Sequence, residues 1–354
     1  MIRISFSQLN TLESCQAKYY YQYIEKYRDK YLGSALGFGL ALDNAINKIL
    51  EDYRDKKLTT LQDYKLVFRS FWEEQEINKV KVKLRTSPLV QYFTSDFDED
   101  LLTDAVCAEI NFKPNLKAFN AIKQQIKSVG IDNIHQDDVC LYNEHCWVSM
   151  LAKGYLILDT YFTEVLPQIK GVHKVQQPIN ITNSDSTAQI VGFIDGLLDL
   201  GDGVRVCDLK TSSTKYDEDS ACISPQLGIY SYATGIKETA FIVLDKKISK
   251  KVYRICSQCK NCKPRAITCN TPRCSGKMEE VKELKATYSI VKGHISKSTE
   301  DKVIDLFDEM VETIKRGEFT KNKSACFAYG RKCPYFNLCH KGSEEGLIKM
   351  EKKS

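Results

Sequence analysis

The sequence predicts an α/β protein in which helices flank a central mixed sheet, with a helical N-terminal region and a small zinc-binding insert. Three observations predict this architecture. Short apolar runs between residues 175 and 244 are typical of strands. Longer stretches with helical spacing precede and follow them. A group of cysteines interrupts the sequence after residue 250. At 354 residues the chain can bury a large core.

The composition is typical of a globular protein in a reducing compartment. Apolar residues make up 43% of the chain and charged residues 27%, and no run approaches the roughly 20 apolar residues of a membrane span. Residues 1–5 lack the apolar core of a signal peptide. We therefore expect a cytoplasmic protein that does not bind membranes. In that compartment the 14 cysteines indicate metal binding rather than disulfides.

The first half of the chain is predicted to be mainly helical. A hydroxyl cap predicts a helix over residues 5–27, and a glycine-containing break follows at 33–39. Residues 40–53 have apolar side chains on one face and predict a second helix. The region 60–165, with helical patterns at 60–80, 99–130 and 149–166, is interpreted as a helical insertion or a lid over a groove.

The strands are predicted in the second half. Strand-like runs occupy 175–181, 190–195, 204–209, 241–244 and 288–290, and helical patterns occupy 224–234 and 299–316. The predicted partition is one domain over 1–249 and 285–354, with an insert over 250–284.

Two neighbouring strands carry charged side chains at a shared end. Asp195 ends one apolar run, Asp208 and Lys210 lie on the next, and the Gly-Asp-Gly turn at 201–203 predicts a β-hairpin. The hairpin brings the two aspartates together, and the period of two places Asp208 and Lys210 on one face. Two carboxylates beside an amine suit a divalent metal and an attacked phosphate. The alternative is a surface hairpin with ordinary charges.

A helical pair follows the hairpin in the sequence. Gln226 and Tyr230 are four residues apart, so they lie on one helix face. On a helix packed behind the hairpin they would orient Lys210 or hold the substrate backbone. The alternative is an ordinary helix.

At these residues the chain resembles the RecB-like branch of the PD-(D/E)XK nuclease superfamily. The matching motifs are Gly192-Phe-Ile-Asp195, Asp208-Leu-Lys210, Gln226-Leu-Gly-Ile-Tyr230 and, less closely, Gly39-Leu-Ala-Leu-Asp43. Many members carry a histidine where this chain has Asp43, and an aspartate there favours Mg²⁺ or Mn²⁺. The family often has a glutamate on the strand before the hairpin. Here that strand has Gln176 and Gln177, and no role is assigned to it.

The resemblance implies a restriction-endonuclease-like sheet and a Mg²⁺- or Mn²⁺-dependent deoxyribonuclease. The implied metal ligands are Asp43, Asp195, Asp208 and the backbone carbonyl of Leu209. The implied catalytic residues are Asp195, Asp208, Lys210, Gln226 and Tyr230. In this scheme Lys210 orients the attacking water or stabilises the charge on phosphorus, while Gln226 and Tyr230 position the lysine and the DNA.

Four cysteines bracket this core. Cys326, Cys333 and Cys339 form C-x6-C-x5-C, and Cys15 stands alone near the N-terminus. This arrangement resembles the iron–sulfur nucleases of the superfamily, which include AddB-type helicase–nuclease subunits and the exonucleases of CRISPR adaptation. It implies a 4Fe–4S cluster that joins the two ends of the chain. The x6 spacing is wider than in those relatives, so zinc at the same cysteines is the alternative.

The insert carries a second cysteine group. Cys256, Cys259, Cys269 and Cys274 have the pairwise spacing of a zinc ribbon, with Cys262 as an alternate ligand. The surrounding lysines and arginines indicate either DNA contact or a docking site for a protein partner. A purely structural role is equally open.

The sequence lacks the Gly-Lys-Ser/Thr phosphate-binding loop of a fused helicase. We therefore expect a stand-alone DNA exonuclease of recombination, replication or repair, whose partner is DNA that is single-stranded or has free ends. The alternatives are a structure-specific or nicking endonuclease and a non-catalytic DNA-binding subunit. Stand-alone enzymes of this kind are common in phages, and the compartment would then be the host cytoplasm.

Overall fold

The computed structural model describes residues 1–350 except 78–79, 88–89, 184, 261, 264–268, 270 and 331, and describes the backbone alone at 77, 80, 94, 262–263 and 329–330. Its α-helices are α1 (Phe6–Ser14), α2 (Gln16–Tyr19), α3 (Ser34–Arg54), α4 (Leu61–Glu73), α5 (Asp104–Glu109), α6 (Leu116–Val129), α7 (Gln136–Thr160), α8 (Ser220–Ile223), α9 (Pro225–Thr234), α10 (Lys297–Arg316) and α11 (Phe336–Lys341).

The strands follow the same chain order. They are β1 (Ile2–Ser5), β2 (Tyr27–Asp29), β3 (Leu32–Gly33), β4 (Glu74–Ile77), β5 (Val80–Lys83), β6 (Val90–Gln91), β7 (Gly171–Thr182), β8 (Ala188–Asp199), β9 (Val204–Ser212), β10 (Glu238–Asp245), β11 (Ser249–Cys256), β12 (Cys262–Lys263), β13 (Met278–Lys285), β14 (Tyr288–His294) and β15 (Leu347–Lys349).

A central mixed sheet, as predicted, organises the molecule. Its order is β1-β8-β9-β10-β14, and β7 pairs with β8 in addition. The pairs β1–β8 and β9–β10 are parallel, whereas β7–β8, β8–β9 and β10–β14 are antiparallel. The predicted fold class, a mixed sheet flanked by helices after a helical N-terminal region, is therefore confirmed.

Strand β8 forks the sheet at the predicted hairpin. Because β7 occupies one edge of β8 over almost its whole length, β1 and β9 share the other edge. β1 pairs with β8 up to Val191, and β9 pairs with it only from Gly196 onwards. Residues 192–195 lie between these two pairings. Beyond Cys207, β9 separates from β8 and continues beside β10, so the fork opens at Asp195 and Asp208.

Helices cover both faces of this sheet. On one face, apolar residues of α1, α9 and α10 pack against the buried side chains of Ile190, Val206 and Phe241. On the other face, α3, α4 and α7 pack against residues such as Cys207 and Ile242. Side chains alternate between the two cores because the strands have a period of two.

Helices α4 and α7 of the lid region (residues 60–165) pack closely against each other and share one core with α3. Trp72 of α4 and Trp147 of α7 stack, and each indole N–H donates to the backbone carbonyl of the other residue, at 3.1 and 2.9 Å. Any Cβ at Gly154 would lie 2.2 Å from the ring of Phe68, so α4 and α7 touch at a position where a side chain has no room. The two helices therefore form one body.

Four predictions about the N-terminal half are wrong. The helix expected over 99–130 is divided into α5 (Asp104–Glu109) and α6 (Leu116–Val129). The helix expected over 5–27 begins after a strand, β1, and is interrupted at Cys15, after which come a π-helical turn and β2. The break expected at 33–39 is helical, because α3 starts at Ser34 and Gly37 lets Leu84 of the lid approach. The helix expected over 60–80 ends at Glu73, where β4 begins.

The basic segment beside the insert contacts the lid. β11 and β13 form an antiparallel pair that leaves the central sheet. The ammonium of Lys250 lies 2.8 Å from Asp98 and 2.9 Å from Asp100, and that of Lys282 lies 2.8 Å from Asp100. Part of the basic cluster is therefore paired with acids of the protein itself. The partition into domain and insert stays a prediction.

Among the described helices, none combines the length and the apolar character that crossing a bilayer requires.

Candidate active site

The fork in the sheet opens onto a cavity of about 420 Å³. Strands β8 and β9 contribute its acidic floor, α3 forms one wall, and the N-terminal turn of α9 forms another. The lining includes six residues that the sequence singled out as functional: Asp43, Asp195, Asp208, Leu209, Lys210 and Gln226. Residues separated by more than 180 positions in the chain therefore face one space.

A chain of polar contacts leads from the floor of the cavity into α9. The Lys210 ammonium lies 2.7 Å from Oδ2 of Asp208, because the two side chains project from the same face of β9. The same ammonium donates to Oε1 of Gln226 at 2.9 Å. The amide nitrogen of Gln226 donates to the Tyr230 hydroxyl, also at 2.9 Å, one helical turn further on. Lys210 is thus held in place from two sides.

Asp195 is fixed by the divergence of the two strands. Its Oδ2 accepts the backbone N–H of Leu209 at 2.8 Å, on the stretch of β9 that has left β8. Its Oδ1 accepts a longer hydrogen bond of 3.4 Å from the side chain of Gln176. Gln176, on β7, has a positive φ of 49° and was given no role from the sequence. Leu209 lines the cavity as well.

Asp43 enters the cavity from α3. Its carboxylate accepts a hydrogen bond from Asn47, one turn along the helix. Burial and then the nearby charge of Asp195 raise the pKa of Asp43 to about 7. Gly39 lies one turn before it, and a Cβ there would be 3.8 Å from the Thr211 hydroxyl. That is an ordinary contact distance, so α3 passes close to β9 while a small side chain would still fit at this position.

The other two aspartates share this perturbed electrostatics. Burial raises the pKa of Asp208. Burial also raises the pKa of Asp195, although the hydrogen bonds to Asp195 and the charge of Lys210 oppose that shift. Burial alone would lower the pKa of Lys210, but the charges of Asp208 and Asp195 outweigh it and raise that pKa. Three carboxylates and one ammonium therefore lie together in a region of restricted solvation.

The donor types suit a divalent cation, although the carboxylate oxygens of Asp43, Asp195 and Asp208 do not all lie within 4.8 Å of one another. The buried Oδ2 of Asp208 lies 2.7 Å from the Lys210 ammonium and has no other polar partner among the described residues. Oxygen ligands are those that Mg²⁺ and Mn²⁺ prefer. A cation there would favour the ionised form of all three acids and so relieve the cost of burying them.

The four terminal cysteines line a second, smaller cavity. Cys15, between α1 and α2, faces Cys326, Cys333 and Cys339. His340 also lines this cavity, with its Nε2 3.5 Å from the Cys326 sulfur. Burial raises the pKa of the Cys333 and Cys339 thiols, while Lys18 and Lys321 oppose that shift. The histidine was not anticipated from the sequence.

Backbone contacts around this cavity join the two ends of the chain. The N–H of Ala17 donates to the Thr320 carbonyl at 3.0 Å, and the Asn322 side chain donates to the Ser14 carbonyl at 2.9 Å. Further out, β15 pairs with β2. The four terminal thiols line one space, but only the insert cysteines, among the described residues, bring their sulfurs within 4.8 Å of one another. A metal centre at the terminal cysteines therefore stays a prediction.

The insert cysteines lie much closer together. The sulfurs of Cys256, Cys259, Cys269 and Cys274 all lie within 4.8 Å of one another, and the pairs Cys256–Cys274 and Cys259–Cys269 are 3.5 Å apart. Tetrahedral thiolates around one Zn²⁺ are separated by about 3.8 Å, given Zn–S bonds of about 2.3 Å. A Cβ at residue 276 would lie 2.4 Å from the Cys256 sulfur, so this Gly keeps the space open. The side chain of Cys262, the alternate ligand, lies outside the described residues.

Comparison with known proteins defines the class. The family model of the PD-(D/E)XK nuclease superfamily matches residues 3–340. The chain therefore belongs to this superfamily, which indicates a metal-dependent nuclease with DNA as its substrate. A search of curated proteins finds no match.

Proposed function

We propose that the chain is a stand-alone DNA exonuclease of the RecB-like branch that degrades single-stranded DNA or free ends in recombination, replication or repair. The observation that carries the proposal is the contact chain Asp208–Lys210–Gln226–Tyr230 beside Asp43 and Asp195. A catalytic lysine needs a fixed ammonium next to acids that bind metal, and these contacts supply both.

In this mechanism each residue has one task. Asp43, Asp195, Asp208 and the Leu209 carbonyl would hold Mg²⁺ or Mn²⁺. A cation held there would supply a water of lowered pKa and would neutralise phosphate charge. The Lys210 ammonium, held between Asp208 and Gln226, stabilises the negative charge that develops on the attacked phosphate. Tyr230 fixes the orientation of the Gln226 amide, and the product is a cleaved phosphodiester.

The preference for single strands and ends rests on the shape of the site. The acids lie at the floor of a cavity of about 420 Å³, closed on one side by α3 and on another by α9. A space of that size accommodates a short segment of one strand. Lid packing against α3 keeps that wall in place. These walls support the proposal that the scissile strand enters alone.

The two cysteine groups would hold different metals. We assign a 4Fe–4S cluster to Cys15, Cys326, Cys333 and Cys339, since these thiols surround a cavity and Lys18 and Lys321 lie nearby to balance a negatively charged centre. We assign Zn²⁺ to the insert, since its sulfur separations suit a single tetrahedral ion. Iron, sulfide and zinc analysis of the purified protein, with visible absorption, separates these assignments from zinc at both sites.

The deciding experiment is digestion of end-labelled linear single-stranded and double-stranded DNA, and of circular DNA, with Mg²⁺ or Mn²⁺. The Asp208→Asn variant is the control for contaminating nucleases. Release of mononucleotides or short fragments from linear DNA, with circles intact, is expected.

Cleavage of circles would replace the exonuclease with an endonuclease. Equal inertness of the wild type and the variant, with all metal sites loaded, would favour a non-catalytic subunit whose insert docks a partner.

A further inference from the structure

A second cavity adjoins the candidate active site. It has a volume of about 460 Å³ and lies between the lid and the sheet. Ala35 and Lys246 line both cavities, so the two spaces are neighbours. The remaining wall comes from α3, from α7, from the segment before α5 and from the chain after β9 and after β10, and it includes Asp96, Asp98, Lys153 and Lys247.

Two partly buried lysines face each other across this space from different parts of the fold. Lys153 belongs to the lid helix α7, and Lys246 follows β10. Within the described part of the chain, neither ammonium has an ion-pair or hydrogen-bond partner. Burial lowers the pKa of both lysines, and the charge of Lys153 lowers that of Lys246 further, against the opposing effect of Asp96. Two buried, mutually repelling cations favour an anionic ligand.

The acids in the wall are already engaged. Asp98 forms an ion pair with Lys250 at 2.8 Å. Oδ2 of Asp96 accepts the Ser34 hydroxyl at 2.5 Å and the backbone N–H of Phe93 at 2.8 Å. Asp96 keeps its charge and opposes the lowering of both lysine pKa values, whereas Asp98 is paired with Lys250. The wall carries three lysines, Lys153, Lys246 and Lys247, against these two acids. The charge that remains for a ligand is positive.

We propose that this cavity is a phosphate subsite, in which Lys153 and Lys246 bind a phosphate of the DNA strand next to the one cleaved at the carboxylate site. The identity of the strand rests on the proposed function. Lys246 lies at the boundary of the two cavities, so it contacts the strand as it passes from one to the other. The helical lid thereby contributes a residue that binds substrate.

The test measures DNA binding without cleavage. Binding of a fluorescent 12-nucleotide single strand is followed by anisotropy with Ca²⁺ in place of Mg²⁺, for the wild type, Lys153→Met, Lys246→Met and the double variant. The double variant is expected to bind about 10-fold or more weakly. The slope of log K against log salt should fall in magnitude by about 0.7, the value for one phosphate contact on a single strand.

Two further variants keep the result interpretable. Lys302→Met removes an exposed lysine of α10 that lines neither cavity and should bind as the wild type does. Lys153→Arg keeps the charge and should retain affinity and salt slope, which a purely structural role of the lysine would not require. Unchanged affinity and slope in the double variant, or an equal loss in Lys302→Met, would overturn the subsite.

A comparison of strands with phosphorylated and with hydroxyl ends shows whether the subsite binds a terminal or an internal phosphate. If the subsite takes a terminal phosphate, the double variant loses affinity only for strands with a 5′- or 3′-phosphate. If it takes an internal one, the loss extends to strands with hydroxyl ends and to circles. Cleavage by the wild type is measured in parallel with Mg²⁺ and Mn²⁺. If the wild type cleaves DNA but the lysine variants bind it normally, only the subsite is overturned. If the lysine variants bind DNA more weakly but the wild type does not cleave it, only the nuclease is overturned.

Discussion

The carboxylate site and the terminal cysteine cavity are both built from distant parts of the chain but by opposite means. The carboxylate site collects Asp43, Asp195 and Asp208 around Lys210, with burial raising the pKa of all three acids. The cysteine cavity collects Cys15 and three residues near the C-terminus, and backbone hydrogen bonds between the chain ends surround it. The carboxylate site brings charged side chains together, whereas the cysteine cavity lies where the N-terminal and C-terminal segments are joined.

This difference has a thermodynamic consequence. Without a cation, buried carboxylates with raised pKa values reduce the stability of the fold above neutral pH. The arrangement that suits catalysis therefore destabilises the metal-free protein. A metal held by thiols from both chain ends stabilises the fold, since the unfolded chain has no preformed site. Substitutions at the two places should therefore separate activity from stability.

The largest effect is expected from Asp208→Asn. We expect a loss of cleavage of about 1000-fold or more, since the variant removes a metal ligand and the partner of Lys210. Its melting temperature should be unchanged or higher, because a buried charge is removed. Rates on labelled single strands and thermal melts measure the two effects. Asp305→Asn, an exposed acid of α10, should change neither. A large drop in melting temperature would contradict the separation.

The opposite pattern is expected from Cys333→Ser. Loss of a ligand should lower the melting temperature by more than about 5 °C, which for a chain of this size corresponds to a few kcal/mol. Activity should persist at low temperature, where the sheet is still folded. Cys140→Ser, an exposed cysteine of α7, is the matched control and should melt like the wild type. Equal melting of the two variants would show that the cavity holds no stabilising centre.

An intermediate effect is expected from Gln226→Ala. Removing the amide leaves Lys210 held by Asp208 alone, so the ammonium should be less well placed for the transition state. We expect kcat to fall about 10-fold, with KM for DNA little changed. Steady-state kinetics on a short single strand measure both constants. A change confined to KM would indicate that Gln226 contacts DNA rather than the lysine.

The pH dependence of metal-free stability should reveal the raised pKa of Asp43. Its ordinary value is 3.8 and its folded value about 7, so protonation favours the folded state. That contribution is complete below about pH 4 and is lost as the pH rises through about 7. In a chelator, the melting temperature should fall by a few degrees between about pH 6 and pH 8. Asp43→Asn should flatten this slope, and an unchanged slope would assign it to other groups.

The smallest effect is expected from Cys274→Ser. The insert closes a short loop on a separate pair of strands, so loss of its metal should cost the global fold less than about 2 °C. Zinc content should fall, and amide exchange should rise only over β11 and β13. Broad exchange throughout the central sheet would instead make the insert part of the main cooperative unit.

Local signals in the sequence located the acidic hairpin. The turn at 201–203 and the period of two were sufficient to predict that Asp195 and Asp208 converge and that Lys210 shares a face with Asp208. Helical spacing placed Gln226 and Tyr230 on one face. Each of these predictions depends on fewer than about 20 consecutive residues, and their catalytic roles stay predictions.

The features that were missed depend on contacts between distant segments. The hydrogen bond of Gln176 to Asp195 requires the pairing of β7 with β8. The helical start of α3 was taken for a break, because the packing of Gly37 against Leu84 is not visible in the local pattern. β1 has only four residues, and its partner lies far along the chain. Lys153 and Lys246 meet only once the lid has folded onto the sheet.

The parallel pairing of β1 with β8 has a consequence for biosynthesis. Ile2 leaves the ribosome before its partner Ala188, which follows about 190 residues later. At synthesis rates of about 5–20 residues per second, this strand waits roughly 10–40 s for its place in the sheet. Cys15 waits longer still, until Cys326 and the residues after it have been made. The metal centre that we propose at these cysteines would therefore be loaded only after Cys339 has been synthesised.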